Sequence, residues 1–427
     1  MKRAATTTRS RTRRKTGAPA ATPVRGRRVP RCGQRRKVPA RRYVSGRTQL
    51  FLVLLTGLFY TGIVALTAGR YGGNLSALIV AGGHFVRTYP GTPGHHIVIY
   101  RAISYDGLGY YYIAGNPFMH GSYIHDALRY QRIGYPLLVW LLSLGQRAWQ
   151  PVLMVAVNLI AVMTVAFLAV RLIRQYAGGA NVWWALACAV NPALIIGVQN
   201  DLAEPLLMAL ALAGLLLYLQ ERIAWATVAF AAALLTREVG ILFLVPLLLA
   251  ELAAWRLARF GVLALSVGPY LIWHAIVTQI IGYSSTVTVA RNFQAFLVGM
   301  RLELADLPHM VAAQRVQFPG IAATMLLVVA GVAVATVQAW QRYDVVIGGL
   351  LVHCGAALFG AWVIWEGYLS APRVFGGLYP LLVLAYLRHG SRNRGFAPLL
   401  VLVGLLTLFI LLEQVIFAQT QPYYVTP

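Results

Sequence analysis

The sequence predicts an all-α polytopic membrane protein, a bundle of about eleven transmembrane helices. Two observations lead to this class. Hydrophobic residues make up 59% of the 427 residues and charged residues only 11%, whereas about a quarter of the residues in a soluble domain are charged. Apolar runs of about 17 to 25 residues, the length that a helix needs to cross a bilayer, recur along the chain.

A basic tail comes first. Residues 1–47 contain 17 of the 37 Lys and Arg residues and no acid. Because the tail is rich in Arg, Thr, Pro and Ala and has no apolar core, we expect it to be disordered. A polybasic segment before a first span favours a cytoplasmic amino terminus that touches anionic membrane lipids. Nucleic-acid binding is the weaker alternative for such a tail, and we predict no nucleic-acid partner.

A transmembrane domain is predicted from residue 48 to residue 417, followed by a short extracytoplasmic tail at 418–427. Prolines could mark breaks, tilts or half-spans in the shorter apolar segments between residues 181 and 254, at Pro192, Pro205 and Pro246. The predicted spans lie at about 49–68, 151–171, 181–198, 202–219, 223–237, 239–254, 257–281, 319–338, 344–365, 371–388 and 396–417.

The first outer loop, about residues 69–150, is the longest polar interval between predicted spans. Its last part, HGSYIHDALRYQRIGYPLLVWLLSLG, has a polar half and an apolar half too short to span, which favours a helix that lies along the membrane interface or dips partway into the bilayer. Within the loop, the stretch YRAISYDGLGYYYIAGNPF at 100–118 sets Asp106 among tyrosines and hydrogen-bonding groups. The loop also holds histidines, and loop histidines are more often solvated than bound to metal. They are His84, His95, His96, His120 and His125.

Basic residues set the predicted orientation, because cytoplasmic loops are enriched in Lys and Arg. With the tail inside, eleven spans place on the inner side Arg171, Arg174, Arg222, Arg256, Arg259, Arg342, Arg388, Arg392 and Arg394. Most acids fall on the outer side or at outer span ends, namely Asp106, Asp126, Asp201, Glu204, Glu238, Glu303, Asp306 and Glu366. The predicted chemistry therefore faces the outside of the membrane.

Polar residues cluster at four outer positions. These are Asp106, the segment 199–204 with Asp201 and Glu204, the segment 236–238 with Arg237 and Glu238, and the segment 366–373 with Glu366 and Arg373. Charged side chains near a membrane are costly unless they pair, are hydrated or form a site. A single pair is better explained as a structural salt bridge, whereas four positions on one side favour a shared outward-facing cavity.

These residue types suit sugar transfer from a lipid phosphate. Asp106 could accept a proton from an acceptor hydroxyl, and Arg237 or Arg373 could bind a phosphate leaving group. Aromatic side chains such as Tyr110 and Tyr111 cover the apolar face of a sugar, although aromatic residues also form belts at membrane interfaces. Binding of Mg²⁺ or Mn²⁺ by Asp106 with another outer acid is an alternative that the sequence leaves open.

Five short motifs occur in order along the chain: YDGLGYYYIAGNPF, RYQRIGYPLLVWLLSLG, DLAEPLL, LLTREVG and APRVFGGLYPLL. Together with an acid in a large first outer loop, they resemble a bacterial, mannosyltransferase-like branch of the GT-C superfamily of integral-membrane glycosyltransferases. The resemblance covers about residues 48–417. It implies a polyprenyl-phosphate sugar donor and a site on the outer face of a bacterial cytoplasmic membrane. It also implies that Asp106 is the catalytic base or a carboxylate that binds metal and acceptor.

The sequence departs from that family at two points. Many relatives carry a paired acidic motif in the first loop, whereas Asp106 stands alone between Tyr105 and Gly107, so a metal requirement is left open. The chain also lacks the large soluble carboxyl-terminal domain of oligosaccharyltransferase-type members. This difference favours a lipid-linked or small glycan acceptor over a folded protein.

The resulting hypothesis is an inverting glycosyltransferase that moves mannose or another hexose or pentose, with Asp106 as base and with Arg237 and Arg373 on the donor phosphate. The residues that would shape the site are Asp201, Glu204 and Glu238. A transporter or flippase of lipid-linked sugars or other anionic lipids is the main alternative. It predicts charges in the middle of spans, whereas charges here cluster at span ends. A scaffold of a cell-envelope complex is a third interpretation.

Overall fold

Apolar α-helices dominate the fold, as the composition predicts for a helical membrane protein. Among the residues that the computed structural model describes, five helical stretches are long and apolar enough to cross a membrane, namely Gly46–Gly69, Arg147–Tyr176, Leu257–Ile281, Arg315–Gln341 and Phe396–Ile416. Each of them overlaps a predicted span. The structure describes residues 46–88, 97–101, 104–121, 123–178, 181–310, 312–390, 392–416 and 423–425.

The α-helices of the described residues are numbered along the chain. They are α1 Gly46–Gly69, α2 Gly83–Thr88, α3 Asp106–Gly115, α4 Ala127–Gln131, α5 Gly134–Leu142, α6 Gln150–Tyr176, α7 Trp184–Ala189, α8 Pro192–Gln199, α9 Glu204–Leu219, α10 Ile223–Thr236, α11 Ile241–Ala253, α12 Leu257–Ala264, α13 Gly268–Ile281, α14 Thr286–Arg291, α15 Val298–Asp306, α16 Ala312–Gln341, α17 Val345–Leu358, α18 Trp362–Trp365, α19 Ser370–Val374, α20 Leu378–His389 and α21 Phe396–Leu411. Short 3₁₀ turns lie at Leu75–Ile79, Arg147–Trp149, Glu238–Gly240, Leu265–Val267 and Leu307–His309, and a π-helical turn at Leu412–Ile416 follows α21.

Proline and asparagine divide the shorter apolar segments. The predicted span 181–198 consists of two helices, α7 and α8, because Pro192 starts a new helix. The side chain of Asn191 caps α8 by accepting a hydrogen bond from a backbone amide of its first turn. Pro205 stands in the first turn of α9, whereas Pro246 lies inside α11 without ending it. Two of the three prolines therefore mark helix starts.

Helix ends that the sequence assigns to the outer side lie together. Just after α1, Arg70 donates a hydrogen bond to the Val415 carbonyl beyond α21. At the end of α8, Gln199 donates its side-chain amide to the Gln414 carbonyl at 3.3 Å. The carboxyl ends of α1, α8 and α21 therefore meet at one end of the bundle.

Helix ends assigned to the inner side form a second group. Near the end of α6, Arg174 donates to Gln49 Oε1 at 3.2 Å, close to the start of α1. Asp344, directly before α17, accepts a hydrogen bond from the Tyr176 hydroxyl at 2.8 Å and lies 2.9 Å from His389 Nε2. This grouping agrees with the predicted alternation of helices, while the number of spans and the side that faces the cytoplasm stay predictions.

Three short strands connect the first outer loop to the carboxyl-terminal segment. β1 (Ala81–Gly82) pairs in parallel with β2 (Val98–Tyr100), and β2 pairs antiparallel with β3 (Tyr423–Val425). The register of the second pair sets Val98 opposite Val425. The predicted tail at 418–427 thus meets the loop through its described residues. Most of the basic tail, and also His95 and His96, lie outside the described residues.

Within the first outer loop, α3 packs into the bundle. In α3, Tyr110 is only 2% exposed. At Gly107 the backbone approaches the turn after α8 so closely that a Cβ atom would contact the Asn200 carbonyl oxygen, and it would lie 2.8 Å from the Ile79 carbonyl oxygen. Only a glycine fits there. This packing sets Asp106, the first residue of α3, beside the turn that joins α8 to α9.

Candidate active site

Asp106 is held by two arginines from distant parts of the chain. Arg373, in α19, donates from Nη1 to Asp106 Oδ2 at 2.9 Å. Arg129, in α4, donates from Nη2 to Asp106 Oδ1 at 3.4 Å. Both carboxylate oxygens are therefore engaged by guanidinium groups. The carboxylate also lies in the first turn of α3, where the helix dipole favours negative charge.

A second carboxylate extends the network inward. Glu204, at the start of α9, lies with Oε1 3.4 Å from Arg373 Nε and also accepts a hydrogen bond from Arg237 Nη1. The side chains of Glu204 and Arg237 are each 3% exposed. Asp106, Arg373, Glu204 and Arg237 thus form a continuous chain of ion pairs from a partly exposed carboxylate to a buried one.

Two further ion pairs flank this chain. Arg132 forms a bidentate pair with Glu238, from Nε to Oε2 at 2.9 Å and from Nη2 to Oε1 at 2.5 Å. Arg129 also donates to Asp126 Oδ2 at 2.9 Å, and Asp126 caps α4 by accepting from the Arg129 amide at 3.0 Å. The fork of an arginine matches a carboxylate or a phosphate in the same geometry.

Local structure explains why α4 and the end of α10 meet. Arg129 and Arg132 are three residues apart and follow a capped helix start, so they project toward the same side. Arg237 leaves α10 in an extended conformation with φ −163° and aims the chain into the turn that carries Glu238. Gly134 permits the close approach, because a Cβ atom there would lie 2.8 Å from the Thr236 amide nitrogen.

The arginines control ionisation of the site. Burial raises the pKa of Asp106, but the guanidinium groups of Arg373 and Arg129 lower it more, and the pKa lies well below its usual range. Burial also raises the pKa of Glu238, and Arg132 lowers it to a value below the usual range. These side chains are all charged at neutral pH.

Unpaired polar atoms face the arginines. Among the described residues, the buried Tyr110 hydroxyl, Arg237 Nε and Glu204 Oε2 have no hydrogen-bond partner. The Tyr110 hydroxyl interacts electrostatically with Arg132, Arg237 and Arg373. A buried polar atom without a partner is costly, so the Tyr110 hydroxyl and Arg237 Nε provide free donors for a bound anion, whereas Glu204 Oε2 is a free acceptor.

The network opens to solvent at Asp106. The side chains of Asp106, Arg129 and Asp126 are 23%, 30% and 29% exposed, whereas the side chain of Arg373 is 9% exposed. A ligand would therefore meet Asp106 and Arg129 before it reached the buried arginines. Behind Arg373 and Glu204 lies a small cavity with mainly apolar walls, lined among others by Leu207, Met208 and Phe243.

Two predicted site residues lie apart from the arginines. Asp201 accepts a hydrogen bond from Asn158 Nδ2 at 3.3 Å and contacts no arginine that the structure describes. It is fully buried, and burial raises its pKa well above the usual range. Tyr111 is also buried and packs edge-on against Tyr112 with ring centroids 6.3 Å apart. The structure thus brings together Asp106, Glu204, Arg237, Glu238, Arg373 and Tyr110, and it leaves out Asp201 and Tyr111.

Arg129 and Arg132 are the site residues that sequence reasoning missed. A signal for them was present. Both stand in an outer loop, against the tendency of basic residues to lie inside, and they are three residues apart within the RYQR segment. Charged residues placed against the orientation rule and at helical spacing are candidates for ion pairing with nearby acids.

A divalent cation does not fit this arrangement. Among the described residues no group of three or more His, Cys, Asp and Glu side chains has a geometry suited to a metal ion. Asp106 faces two guanidinium groups at 2.9 and 3.4 Å, and their positive charges oppose a cation at the same carboxylate.

No protein-family model, no curated protein and no solved structure matches this chain, so the comparisons with known proteins assign no function to the site.

Proposed function

We propose that this chain is an inverting glycosyltransferase of GT-C type. It would move a sugar, such as mannose or another hexose or pentose, from a polyprenyl-phosphate donor to a lipid-linked or cell-envelope glycan acceptor. The site would face the outer side of a bacterial cytoplasmic membrane. One observation carries the proposal: Asp106 lies 2.9 Å from Arg373, within a cluster of buried arginines at the end of an apolar helical bundle.

The arginine cluster supports binding of the donor phosphate. Guanidinium groups bind phosphate oxygens in bidentate geometry, and Arg373, Arg237 and Arg132 lie around the unpaired Tyr110 hydroxyl. Their burial strengthens attraction to an anion, because little water screens the charges. The apolar helices beside the cluster provide the lipid-facing environment that a polyprenyl chain needs.

The partly exposed carboxylate supports the transfer step. The acceptor hydroxyl oxygen would attack the sugar C1 from the face opposite the phosphate, while Asp106 accepts the hydroxyl proton. The bond between C1 and the phosphate oxygen breaks, and its electron pair stays on that oxygen, where Arg373 and Arg237 stabilise the charge. The products are a glycoside of inverted configuration and a polyprenyl phosphate.

The roles of the remaining residues follow from their contacts. Glu204 and Glu238 would hold the arginines in position through their ion pairs. Tyr110 would donate its free hydroxyl to the phosphate, whereas the buried ring of Tyr111 would stabilise α3 by packing. Asp201 would stabilise the turn between α8 and α9 and take no part in the chemistry.

The decisive experiment measures sugar transfer in membranes that contain the full chain. Donors would be radiolabelled polyprenyl-phosphate hexoses and pentoses, and products would be separated as lipid and polymer fractions. Asp106→Asn should lower transfer by at least about a hundredfold, since a positioned base contributes that much or more. Asp201→Asn serves as the matched control and should keep transfer within about threefold. Transfer by Asp106→Asn at the wild-type rate would exclude Asp106 from the chemistry.

A transporter of lipid-linked sugars or other anionic lipids is the second candidate. Buried polar side chains inside the bundle favour it, namely Asn158 and His353, which are 0% and 2% exposed. It predicts movement of a fluorescent polyprenyl-phosphate lipid between leaflets of proteoliposomes, without formation of any glycoside. Movement of the lipid by the wild-type chain, with no glycoside formed, would favour the transporter.

A further inference from the structure

The same guanidinium group is needed by two partners in the proposed reaction. Arg373 Nη1 donates to Asp106 Oδ2 at 2.9 Å, although Arg373 is also the group that would hold the donor phosphate. We propose that the donor phosphate displaces Asp106 from Arg373 and Arg129, and that Asp106 becomes able to accept a proton only after this exchange. This inference rests on the proposed function, and it sets the order in which the substrates bind.

Both carboxylate oxygens of Asp106 are engaged by guanidinium groups. Its Oδ2 is bound by Arg373 and its Oδ1 lies 3.4 Å from Arg129 Nη2. A carboxylate held by two guanidinium groups is stabilised in its charged form and is a weak base. The acceptor hydroxyl therefore has a competent base only after the arginines have bound another anion in place of Asp106.

The charges of the site explain why an exchange is required. Among the described residues of the network, the four arginines Arg129, Arg132, Arg237 and Arg373 face the four acids Asp106, Asp126, Glu204 and Glu238. Formal charges are therefore balanced within this network. A donor phosphate adds a negative charge to a mostly buried cluster, which is costly unless a resident carboxylate gives up its partners.

Among the four acids, Asp106 can leave its arginine partners most easily. Glu204 is 3% exposed and lies between two arginines, and Glu238 is held by a bidentate pair. Asp126 also caps α4, so its movement would disturb a helix start. Asp106 is 23% exposed and can turn toward solvent at the mouth of the site.

Loss of its guanidinium partners makes Asp106 a competent base. After the exchange, the phosphate is paired with the arginines, and Asp106 carries its negative charge without them beside the sugar C1. Asp106 then takes up the acceptor proton and becomes neutral, while the departing polyprenyl phosphate gains one negative charge that the arginines stabilise, so the net charge of the site is unchanged. Donor binding would therefore precede acceptor activation, and an acceptor alone would not be deprotonated.

Binding of a lipid phosphate that carries no sugar tests the exchange without any catalysis. The probe is decaprenyl phosphate, titrated into the full chain in phosphatidylcholine nanodiscs. Asp106→Asn should bind the probe about tenfold more tightly than the wild type, because the competing carboxylate is gone. Arg373→Gln should bind it at least about tenfold more weakly.

A matched control separates local competition from net charge. Glu366→Gln removes the same charge at an exposed residue that the sequence assigns to the same side, and its affinity should equal that of the wild type. Asp106→Ala should repeat the gain of Asp106→Asn, and thermal unfolding would confirm that both variants are folded.

The outcomes distinguish the inference from the proposed function. Equal or weaker binding by the two Asp106 variants, with normal binding by the wild type, would overturn the exchange and leave a phosphate site in place. Absence of binding by the wild type and by every variant would overturn the proposed function, and the exchange with it.

Discussion

Asp106 combines two properties that conflict in a single residue. It is the acid in the first outer loop that the sequence favours as a base, and it is bound by Arg373 and Arg129. The sequence could identify the acid, because one carboxylate among tyrosines in a long polar loop is a local pattern. The ion pair with Arg373 joins residues 267 positions apart, so no local pattern could have revealed it.

The low pKa of Asp106 leads to a prediction for the pH dependence of transfer. Burial raises this pKa and the arginines lower it more, so Asp106 keeps its charge, and the stability from its ion pairs, from neutral pH down to below about pH 4. In the free enzyme, kcat/KM for the donor should show no acid limb above that pH. Once the donor phosphate has bound the arginines, the pKa of Asp106 should rise. The kcat profile should then show an acid limb at a higher pH than the kcat/KM profile does.

The measurement is a pair of pH–rate profiles between about pH 4.5 and pH 8. The other groups facing Asp106 are Arg132, Arg237 and Tyr105. They keep their protons over this range, because arginine is protonated at these pH values and burial raises the pKa of Tyr105. Acid limbs at the same pH in kcat and kcat/KM would contradict release of Asp106 by the donor.

Asp201, a predicted site acid, is buried and lies apart from the arginines that the structure describes. Burial raises its pKa well above the usual range, so the folded chain holds a proton that the unfolded chain releases above about pH 4. Stability should therefore fall as pH rises from about 4 toward the raised pKa. Asparagine resembles the protonated acid and tolerates the φ of 46° found at this position.

Asp201→Asn should accordingly raise Tm or leave it unchanged at pH 7.5. The difference in Tm between the variant and the wild type should become smaller toward pH 4.5. Thermal unfolding of purified protein at the two pH values measures this effect. A clear loss of Tm at pH 7.5 would show that the Asp201 carboxylate is charged and stabilising in the folded chain.

At the scale of single elements, short helices carry the site because their starts and ends are fixed by local signals. Asp126 caps α4, and Pro205 stands in the first turn of α9. The sequence could anticipate such starts from capping residues and proline. It could not anticipate that α3 would be buried, since its apolar and tyrosine-rich face fits a membrane interface as well as a protein interior.

The contact at Gly107 tests the placement of α3. Gly107→Ala would bring a Cβ atom against the Asn200 carbonyl oxygen and 2.8 Å from the Ile79 carbonyl oxygen, and backbone atoms cannot move aside cheaply. We expect a loss of about 1–3 kcal/mol in stability and a fall in transfer of at least about tenfold, because Asp106 would shift.

Gly62→Ala in α1 is the matched control, since nothing lies within 4 Å of a Cβ atom there. Its Tm and transfer rate should match those of the wild type. Wild-type transfer by Gly107→Ala would show that the position of α3 does not determine activity.

At the scale of the whole molecule, the helices differ in whether they are long enough to cross a membrane. In the described part of the chain, five helical stretches are long enough. A helix such as α10, with 14 residues, rises only about 21 Å, less than the roughly 30 Å of a bilayer core. In the eleven-span prediction, such helices would cross together with the adjoining turns, tilted or in a locally thinned bilayer.

Cysteine labelling would test this topology. In a background with Cys32 replaced, the remaining native cysteines, Cys188 and Cys354, are buried. Glu366→Cys should react with a membrane-impermeant maleimide in intact cells, because it is exposed and predicted to lie outside. Trp255→Cys, at a residue that is 82% exposed in a predicted inner turn, should react only after permeabilisation. Labelling of both in intact cells would contradict the predicted orientation.

The sequence by itself determined the class of this protein, the positions of most apolar helices and the acids and arginines at their ends. Run length, composition, capping and proline are local properties, and they act within a few residues. Only the tertiary structure decided which charges meet. It joined Arg129 and Arg132 to Asp106 and Glu238, and it separated Asp201 from the arginines. The physical reason is that an ion pair depends on distances of a few ångströms between side chains, which packing of distant helices sets.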